Sequence, residues 1–180
     1  MREQLTVSCH CSRMTGEYLA AVDDRQRVVR VRDLIVEIFA INGNLIETGN
    51  RLTHPLGITS ALWQVMGALG FAGEPLSVPA IAKRMGLTRQ SVQRNVDLLA
   101  ERGLVSFEAN PRHRRSALAN LTEAGRATLA CVDTCHQPLS TRIADAIGDE
   151  HIADAMHVLS EMNAILETEA ANAGNQRVVK

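Results

Sequence analysis

The sequence predicts a mainly α-helical fold with one small β-hairpin. Over several long segments apolar residues recur every three or four positions, which is the periodicity of helices packed on one side. Aromatic residues make up only 3% of the chain, so the core must consist mostly of Ala, Leu, Ile, Val and Met. After Gly103 the helical spacing gives way to two short β-prone runs. The length of 180 residues fits one domain, or one domain with an added oligomerisation element.

The first long helix is predicted at about residues 25–48, and Gly49-Asn50 is a plausible end. Its apolar stripe consists of Val28, Val31, Leu34, Ile35, Ile38, Phe39, Leu45 and Ile46. Residues 1–24 show no sustained periodicity, so they are predicted to form a flexible N-terminal arm.

Three shorter helices are predicted between residues 59 and 103. Each starts with a hydroxyl residue that can cap a helix, namely Thr59 or Ser60, Ser77, and Thr88. Pro79 fits the first turn of the second helix, and Gly86 and Gly103 end the second and the third. Two short helices joined by a tight turn at Gly86 predict a helix-turn-helix.

A β-hairpin is predicted directly after these helices. Its strands are residues 104–107 and 117–121, and Asn110-Pro111 forms the turn between them. The tip carries a dense basic segment made of Arg112, His113, Arg114 and Arg115.

Two long helices are predicted after the hairpin. The first covers residues 122–147 and is bent or interrupted near Pro138, and the last covers residues 150–170 with one apolar stripe. Apolar helices at both termini, outside a compact middle unit, predict packing against a second subunit. The alternative is that the first and last helices pack on each other within one chain.

The charge is unevenly distributed along a chain whose net charge is −1. Residues 75–121 carry 8 Lys and Arg against 3 Asp and Glu, while residues 122–180 carry 4 against 9. A local basic block on a nearly neutral protein predicts a surface that binds a polyanion.

Double-stranded DNA is the polyanion that the helix-turn-helix favours, because its second helix enters the major groove. The candidate contacts on that helix are Thr88, Arg89, Gln90, Ser91, Gln93 and Arg94. Arginine pairs with guanine and glutamine with adenine, while arginines at the hairpin tip suit a minor groove or phosphates. An ordinary solvated helix face is the alternative interpretation of these polar residues.

The run "LSVPAIAKRMGLTRQSVQRNVDLLAERGLVSFEANPRHRRSALANLTEAGR", residues 76–126, resembles the winged helix-turn-helix of the MarR family of bacterial transcription regulators. "GLTRQSV", "LLAERGLV", an Arg-rich tip and "LTEAG" occur in the order of that family. Many members carry an aspartate in the hairpin where this chain has His113. An imidazole there would make DNA binding sensitive to pH.

The resemblance implies a homodimeric repressor of a palindromic operator, released by a small aromatic or lipophilic effector or by oxidation. It divides the chain into a winged helix-turn-helix DNA-binding lobe at 56–121, a helical dimerisation region at 25–55 and 122–170, and a C-terminal tail at 171–180. It also implies a cytoplasmic bacterial protein associated with the nucleoid.

Two kinds of signal site are predicted from the same resemblance. An effector crevice would involve Phe39, His54, Leu56, Trp63 and Met66. Redox sensing, the alternative, would use Cys9, Cys11, Cys131 or Cys135, whose spacing does not match a structural zinc site. Core packing is the simpler interpretation of the crevice residues.

Other function classes find little support in the sequence. It has no phosphate-binding glycine loop, nucleophile elbow or HExxH helix, so an enzyme is not expected, and no cofactor or metal is predicted. No apolar run reaches membrane-spanning length. A helical adaptor that binds an acidic protein through its hairpin remains the alternative from a different class.

Overall fold

A computed structural model describes the backbone of residues 11–178 except 112, 114 and 115, and the side chains of residues 24–172 with the same three gaps. Within these residues the chain forms six α-helices and a three-stranded antiparallel sheet. The chain divides into two compact units, and the boundary lies between Arg51 and Leu52. The predicted fold class, mainly α with a small β-hairpin, is therefore confirmed.

Within the described residues, the first unit consists of a single long helix, α1 (Cys11–Thr53), whose last residues belong to the second unit. The helix begins well before the predicted start at residue 25 and includes residues 11–24 of the predicted flexible arm. They carry no apolar stripe, but they include good helix formers such as Glu17, Leu19 and Ala20, which extend a helix without marking a buried face. Residues 1–10 of the predicted arm lie outside the described part of the chain.

The second unit contains the remaining elements. A 3-10 turn (His54–Leu56) leads into α2 (Ser60–Ala72), β1 (Leu76–Ser77), α3 (Val78–Met85), α4 (Arg89–Glu101), β2 (Val105–Glu108), β3 (Leu118–Leu121), α5 (Glu123–Ile147) and α6 (Asp149–Val178). The predicted helix-turn-helix corresponds to α3 and α4, and the predicted hairpin to β2 and β3.

The sheet has the strand order β1-β3-β2. Val105 pairs with Leu121 across the hairpin, and Leu76 pairs with Ala119 on the other side of β3. Strand β1 was not predicted, since two residues are too few to show an alternating pattern. Strand β1 directly precedes α3 and pairs with β3. The start of the helix-turn-helix is therefore linked to the hairpin through the sheet.

The core of the second unit lies where α2, α3, α4, α5 and the sheet meet. Its fully buried side chains include Leu62, Val65, Met66, Ile81, Val92, Val96, Leu99 and Val132. Because these residues come from every element around the helix-turn-helix, the orientation of α4 is set by core packing rather than by local sequence.

The last two helices are longer and less interrupted than predicted. Helix α5 continues through Pro138, and α6 extends to Val178, so most of the predicted C-terminal tail is helical. Ala and Glu residues after Thr168 favour helix even though the apolar stripe has ended. None of the described helices combines the length and the apolarity needed to cross a membrane.

Candidate nucleic-acid interface

The tight turn between α3 and α4 is built around Gly86, which has a φ of 62°. This left-handed conformation suits glycine, and it ends α3 while the N–H of Leu87 donates to the carbonyl of Ala82 at 2.9 Å. Two residues later the Thr88 hydroxyl accepts a hydrogen bond from the N–H of Ser91 at 3.1 Å. The predicted cap of α4 is confirmed, and it places the first turn of α4 at the surface.

Helix α4 is held by one face and exposed on the other. Val92, Val96 and Leu99 are each 0% exposed. The candidate DNA contacts all lie at the surface on the first two turns of the helix: Thr88, Arg89, Gln90, Ser91, Gln93 and Arg94. All six helix residues proposed from the sequence are therefore exposed.

Asp97 is a further polar residue on this helix that the sequence analysis missed. Gln93 Nε2 donates a hydrogen bond to Asp97 Oδ1 at 2.8 Å. This contact could have been predicted from the sequence, because a glutamine and an aspartate four residues apart in one helix are neighbours on its surface.

The end of α4 is anchored next to the loop before α2. Arg102 Nη1 donates to the carbonyl of Gly57 at 2.7 Å, and Gly103, with a φ of 71°, directs the chain into β2. The N–H of Leu104 donates to the carbonyl of Leu99 at 2.9 Å. The hairpin and its tip, residues 105–121, are called the wing below, and they follow α4 after a connection of only a few residues.

The turn at the tip of the wing includes more residues than the predicted Asn110-Pro111 turn, because its hydrogen bonds extend to Ser116. The N–H of His113 donates to Asn110 Oδ1 at 3.2 Å, and the N–H of Ser116 donates to the carbonyl of His113 at 3.0 Å. His113 is exposed. Arg112, Arg114 and Arg115 lie outside the described residues, so their DNA contacts stay predictions.

A cavity of about 640 Å³ lies behind the helix-turn-helix, between α2, the end of α3, β3 and α5. Its walls are mainly apolar and include Phe71, Met85 and Leu129, and its charged residues are Arg84, Arg126 and Asp133. Because the cavity is lined by residues of both α3 and β3, an occupant would contact the helix-turn-helix and the wing.

Of the five predicted effector residues, Trp63 lines this cavity. Met66 is fully buried in the core, and His54 and Leu56 lie exposed on the 3-10 turn. Phe39 lies on α1 in the first unit and is 70% exposed. The other side chains that form the cavity were not found from the sequence, because they come from four separate elements.

A second, smaller cavity shares Trp63 and is also lined by His136 of α5. Burial lowers the pKa of His136 below its ordinary value, and the nearby Asp133 carboxylate opposes that effect. Among the described side chains, His136 Nε2 is buried without a hydrogen-bond partner. The imidazole is therefore favoured in its neutral form.

Of the predicted redox residues, the structure describes the side chains of Cys131 and Cys135, which lie one turn apart on α5. Cys131 is exposed and Cys135 is half-buried on α5, and neither forms a disulfide. Cys9 lies outside the described residues, and the side chain of Cys11 is not described. Within the described part of the chain, no group of three His, Cys, Asp or Glu side chains is placed to hold a metal ion.

Known proteins resemble this chain in sequence and in fold. A model of the MarR family matches residues 56–116, from the 3-10 turn to the tip of the wing. The chain is 33% identical to the uncharacterized protein Rv2011c of Mycobacterium tuberculosis over 136 residues, which cover 76% of this chain and 94% of that protein. The chain belongs to the MarR family.

The chain is also similar to BadR and to CouR. BadR of Rhodopseudomonas palustris, a transcriptional activatory protein, is 27% identical over 74% of this chain and 77% of its own length. CouR of Rhodococcus jostii, solved bound to p-coumaroyl-CoA, superposes with a TM-score of 0.66 at 24% identity, covering 73% of this chain and 92% of CouR. The family and fold are those of transcriptional regulators, not of enzymes.

Proposed function

We propose that this MarR-family regulator is a homodimer that binds a palindromic DNA operator in a sequence-specific manner and represses transcription until a small effector releases it. The observation that carries the proposal is the two-sided character of α4. Its buried face is fixed by Val92, Val96 and Leu99, and its opposite face presents exposed polar side chains. A rigid helix with a polar face is what insertion into a major groove requires.

The residue types on this exposed face fit base recognition. Arg89 and Arg94 can pair with guanine, Gln90 and Gln93 with adenine, and Ser91 with a base or a phosphate. The sequence also carries Arg112, Arg114 and Arg115 between the two strands of the wing. Those arginines supply phosphate contacts or enter a minor groove.

Dimerisation is supported by large apolar side chains at the surface of the terminal helices. On α1, Phe39 is 70% exposed, and on α6, Met156 is 68% exposed, with Ile165 and Leu166 almost as accessible. Apolar surface of this extent is unfavourable in water, and a second copy would cover it. A two-fold dimer also matches the symmetry of a palindromic site.

Release by an effector is supported by the cavity behind the helix-turn-helix. CouR, which shares the fold, was solved with p-coumaroyl-CoA, an aromatic thioester. We propose a small aromatic or lipophilic effector for this chain as well, with Trp63 in the wall of its site. The proposed division assigns DNA binding to residues 56–121 and dimerisation to 25–55 and 122–170, in a protein that acts on bacterial DNA in the cytoplasm.

The test is selection of bound duplexes from a random pool, followed by titration of the selected site at several salt concentrations. We expect an inverted repeat with half-sites about one helical turn apart and an affinity that falls steeply with salt. The double substitution Gln90→Ala, Arg94→Ala should abolish selection. Arg142→Ala, which removes one exposed positive charge from α5, is the matched control and should bind normally.

Failure to enrich any sequence, together with binding that does not respond to salt, would contradict DNA recognition and favour the adaptor alternative. Transcription from a promoter carrying the selected site decides the direction of regulation. Repression is expected where the dimer covers the promoter, and stimulation would place the chain with BadR, whose name describes an activator.

A further inference from the structure

Asp97 lies on the exposed side of α4 one turn beyond Gln93, whose Nε2 donates to the Asp97 carboxylate at 2.8 Å. Residues four apart in a helix are surface neighbours, so this contact needs no displacement of the backbone. Arg94 is three residues from Asp97, yet no ion pair joins these two described side chains. The carboxylate thus contacts the glutamine rather than the arginine.

The chemistry of the glutamine amide gives this contact a consequence. The amide ends in an NH₂ donor and an oxygen acceptor, and a half-turn of its last torsion angle exchanges them. In the major groove adenine offers one acceptor and one donor, whereas guanine offers two acceptors. A glutamine that turns freely can therefore donate to guanine as well as pair with adenine.

The Asp97 carboxylate accepts hydrogen bonds but cannot donate them, so it keeps the NH₂ group of Gln93 on its own side. One N–H is used by this contact, while Oε1 and the second N–H remain available to a base. That pair of groups matches the N6 and N7 atoms of adenine. Fixing the amide before DNA arrives also reduces the side-chain entropy that binding must remove.

We propose that Asp97 is a positioning residue that orients Gln93 toward adenine and thereby sets the base preference of α4. The inference rests on the proposed DNA-binding function. It extends that function by assigning specificity to a residue whose own charge opposes DNA binding.

Because Asp97 is negatively charged, its proposed positioning role can be distinguished by experiment from a merely structural role. Asp97 and Glu101 are the acidic side chains of α4, and both are exposed on the side away from the core. A carboxylate near DNA repels phosphates, so its removal should raise affinity for every sequence. A residue that only supported the fold would lower affinity for all sequences when removed.

The experiment starts from the site selected by the wild-type protein. The base pair read by Gln93 is identified as the one whose preference disappears in Gln93→Ala. Affinities are then measured for two duplexes that carry adenine or guanine at that position. The wild-type protein should prefer adenine by about tenfold, in the range of a good bidentate contact.

Asp97→Ala should reduce this preference to about twofold or less while raising affinity for the guanine duplex, because both the orienting contact and the repulsive charge are lost. Asp97→Asn can accept from Gln93 Nε2 or donate to Gln93 Oε1, so it no longer fixes the orientation of the amide; it should bind both duplexes more tightly and lose most of the preference. Asp97→Ser, too short to reach Gln93, should behave like Asp97→Ala. Glu101→Ala is the matched control, because it removes a charge from the same helix without affecting the ratio.

A double-mutant cycle tests whether Asp97 acts through Gln93. In the Gln93→Ala background, Asp97→Ala should leave the adenine-to-guanine ratio unchanged. An unchanged ratio in Asp97→Ala and Asp97→Ser alone, or a changed ratio in the Gln93→Ala background, would overturn the proposal. If the wild-type protein selects no site at all, it is the proposed function that fails, and the two failures are thereby distinguished.

Discussion

The indole ring of Trp63 and the imidazole ring of His136 lie stacked, with ring centroids 4.0 Å apart and an angle of 23° between their planes. The pair joins α2 to α5, and Trp63 also forms part of the wall of the larger cavity.

Stability should fall in mildly acidic solution because of His136. Burial lowers its pKa in the folded state, so the unfolded chain binds the proton more readily. The stabilisation is therefore fully present above the ordinary value of about pH 6.5 and is lost as the pH falls below it. In His136→Phe, which keeps a stacked ring, urea unfolding followed by circular dichroism should show a weaker pH dependence between about pH 7 and pH 5.

His151→Gln is the control for this measurement, since His151 is exposed on α6 and no ion pair involves it among the described side chains. It should show the pH dependence of the wild-type protein. If His136→Phe retained the full loss of stability at acidic pH, the assignment to His136 would be wrong.

Gly125→Ala should destabilise the protein strongly. Gly125 is buried at the start of α5, and a methyl group there would collide with the carbonyl group of Leu104, which belongs to the backbone and cannot turn away. Overpacking of this kind costs about 1 to 3 kcal/mol or more of the free energy of unfolding. Urea titration measures the loss.

Gly67→Ala provides the matched comparison within α2. Its added methyl group would meet only Phe71 Cε2 at an ordinary 3.8 Å, and alanine favours helix over glycine. We expect unchanged or slightly higher stability. Equal losses in the two variants would show that the contact with Leu104 is not the cause.

Replacing an arginine of the wing should weaken operator binding. Arg114→Ala or Arg115→Ala is expected to cost about 1 to 3 kcal/mol of binding free energy where the arginine contacts a base edge, and less where it contacts a phosphate. Gel-shift titration of the selected duplex measures the change, with Arg142→Ala as the charge-matched control. Wild-type affinity in both single variants and in the double variant would rule out the wing as a DNA contact.

Replacing His113 with aspartate should weaken DNA binding. His113 is exposed at the tip of the wing, and a carboxylate at this position would repel phosphates. Gel-shift titration of the selected duplex should therefore show a lower affinity for His113→Asp than for the wild-type protein. Wild-type affinity in His113→Asp would dismiss the role of His113.

The cavity should bind small organic anions with an aromatic or lipophilic body. Trp63 is the single tryptophan of the chain and lines the cavity, so its fluorescence reports occupancy directly. Arg126→Ala should weaken binding of an aromatic carboxylate more than binding of the corresponding neutral amide, because Arg126 is one of the cationic residues of the wall. Equal losses for both ligands would exclude a contact between Arg126 and the carboxylate.

Much of the fold was predictable because its signals are local. The cap at Thr88, the left-handed turn at Gly86 and the spacing of Val92, Val96 and Leu99 can all be identified within a few residues of sequence. The exposure of the polar side chains on α4 follows from the same periodicity. The early start of α1 and the late end of α6 were missed because helix can continue on propensity alone, without an apolar stripe.

The sequence by itself determined the class of the fold, the basic middle segment, the helix that carries the candidate contacts and the family resemblance. Only the tertiary structure decided which side chains form the cavity, that Trp63 stacks on His136, and that β1 joins the sheet of the wing. The physical reason is sequence distance. Local hydrogen bonds and periodicity leave a pattern along the chain, whereas contacts between separate elements depend on how whole faces pack in three dimensions.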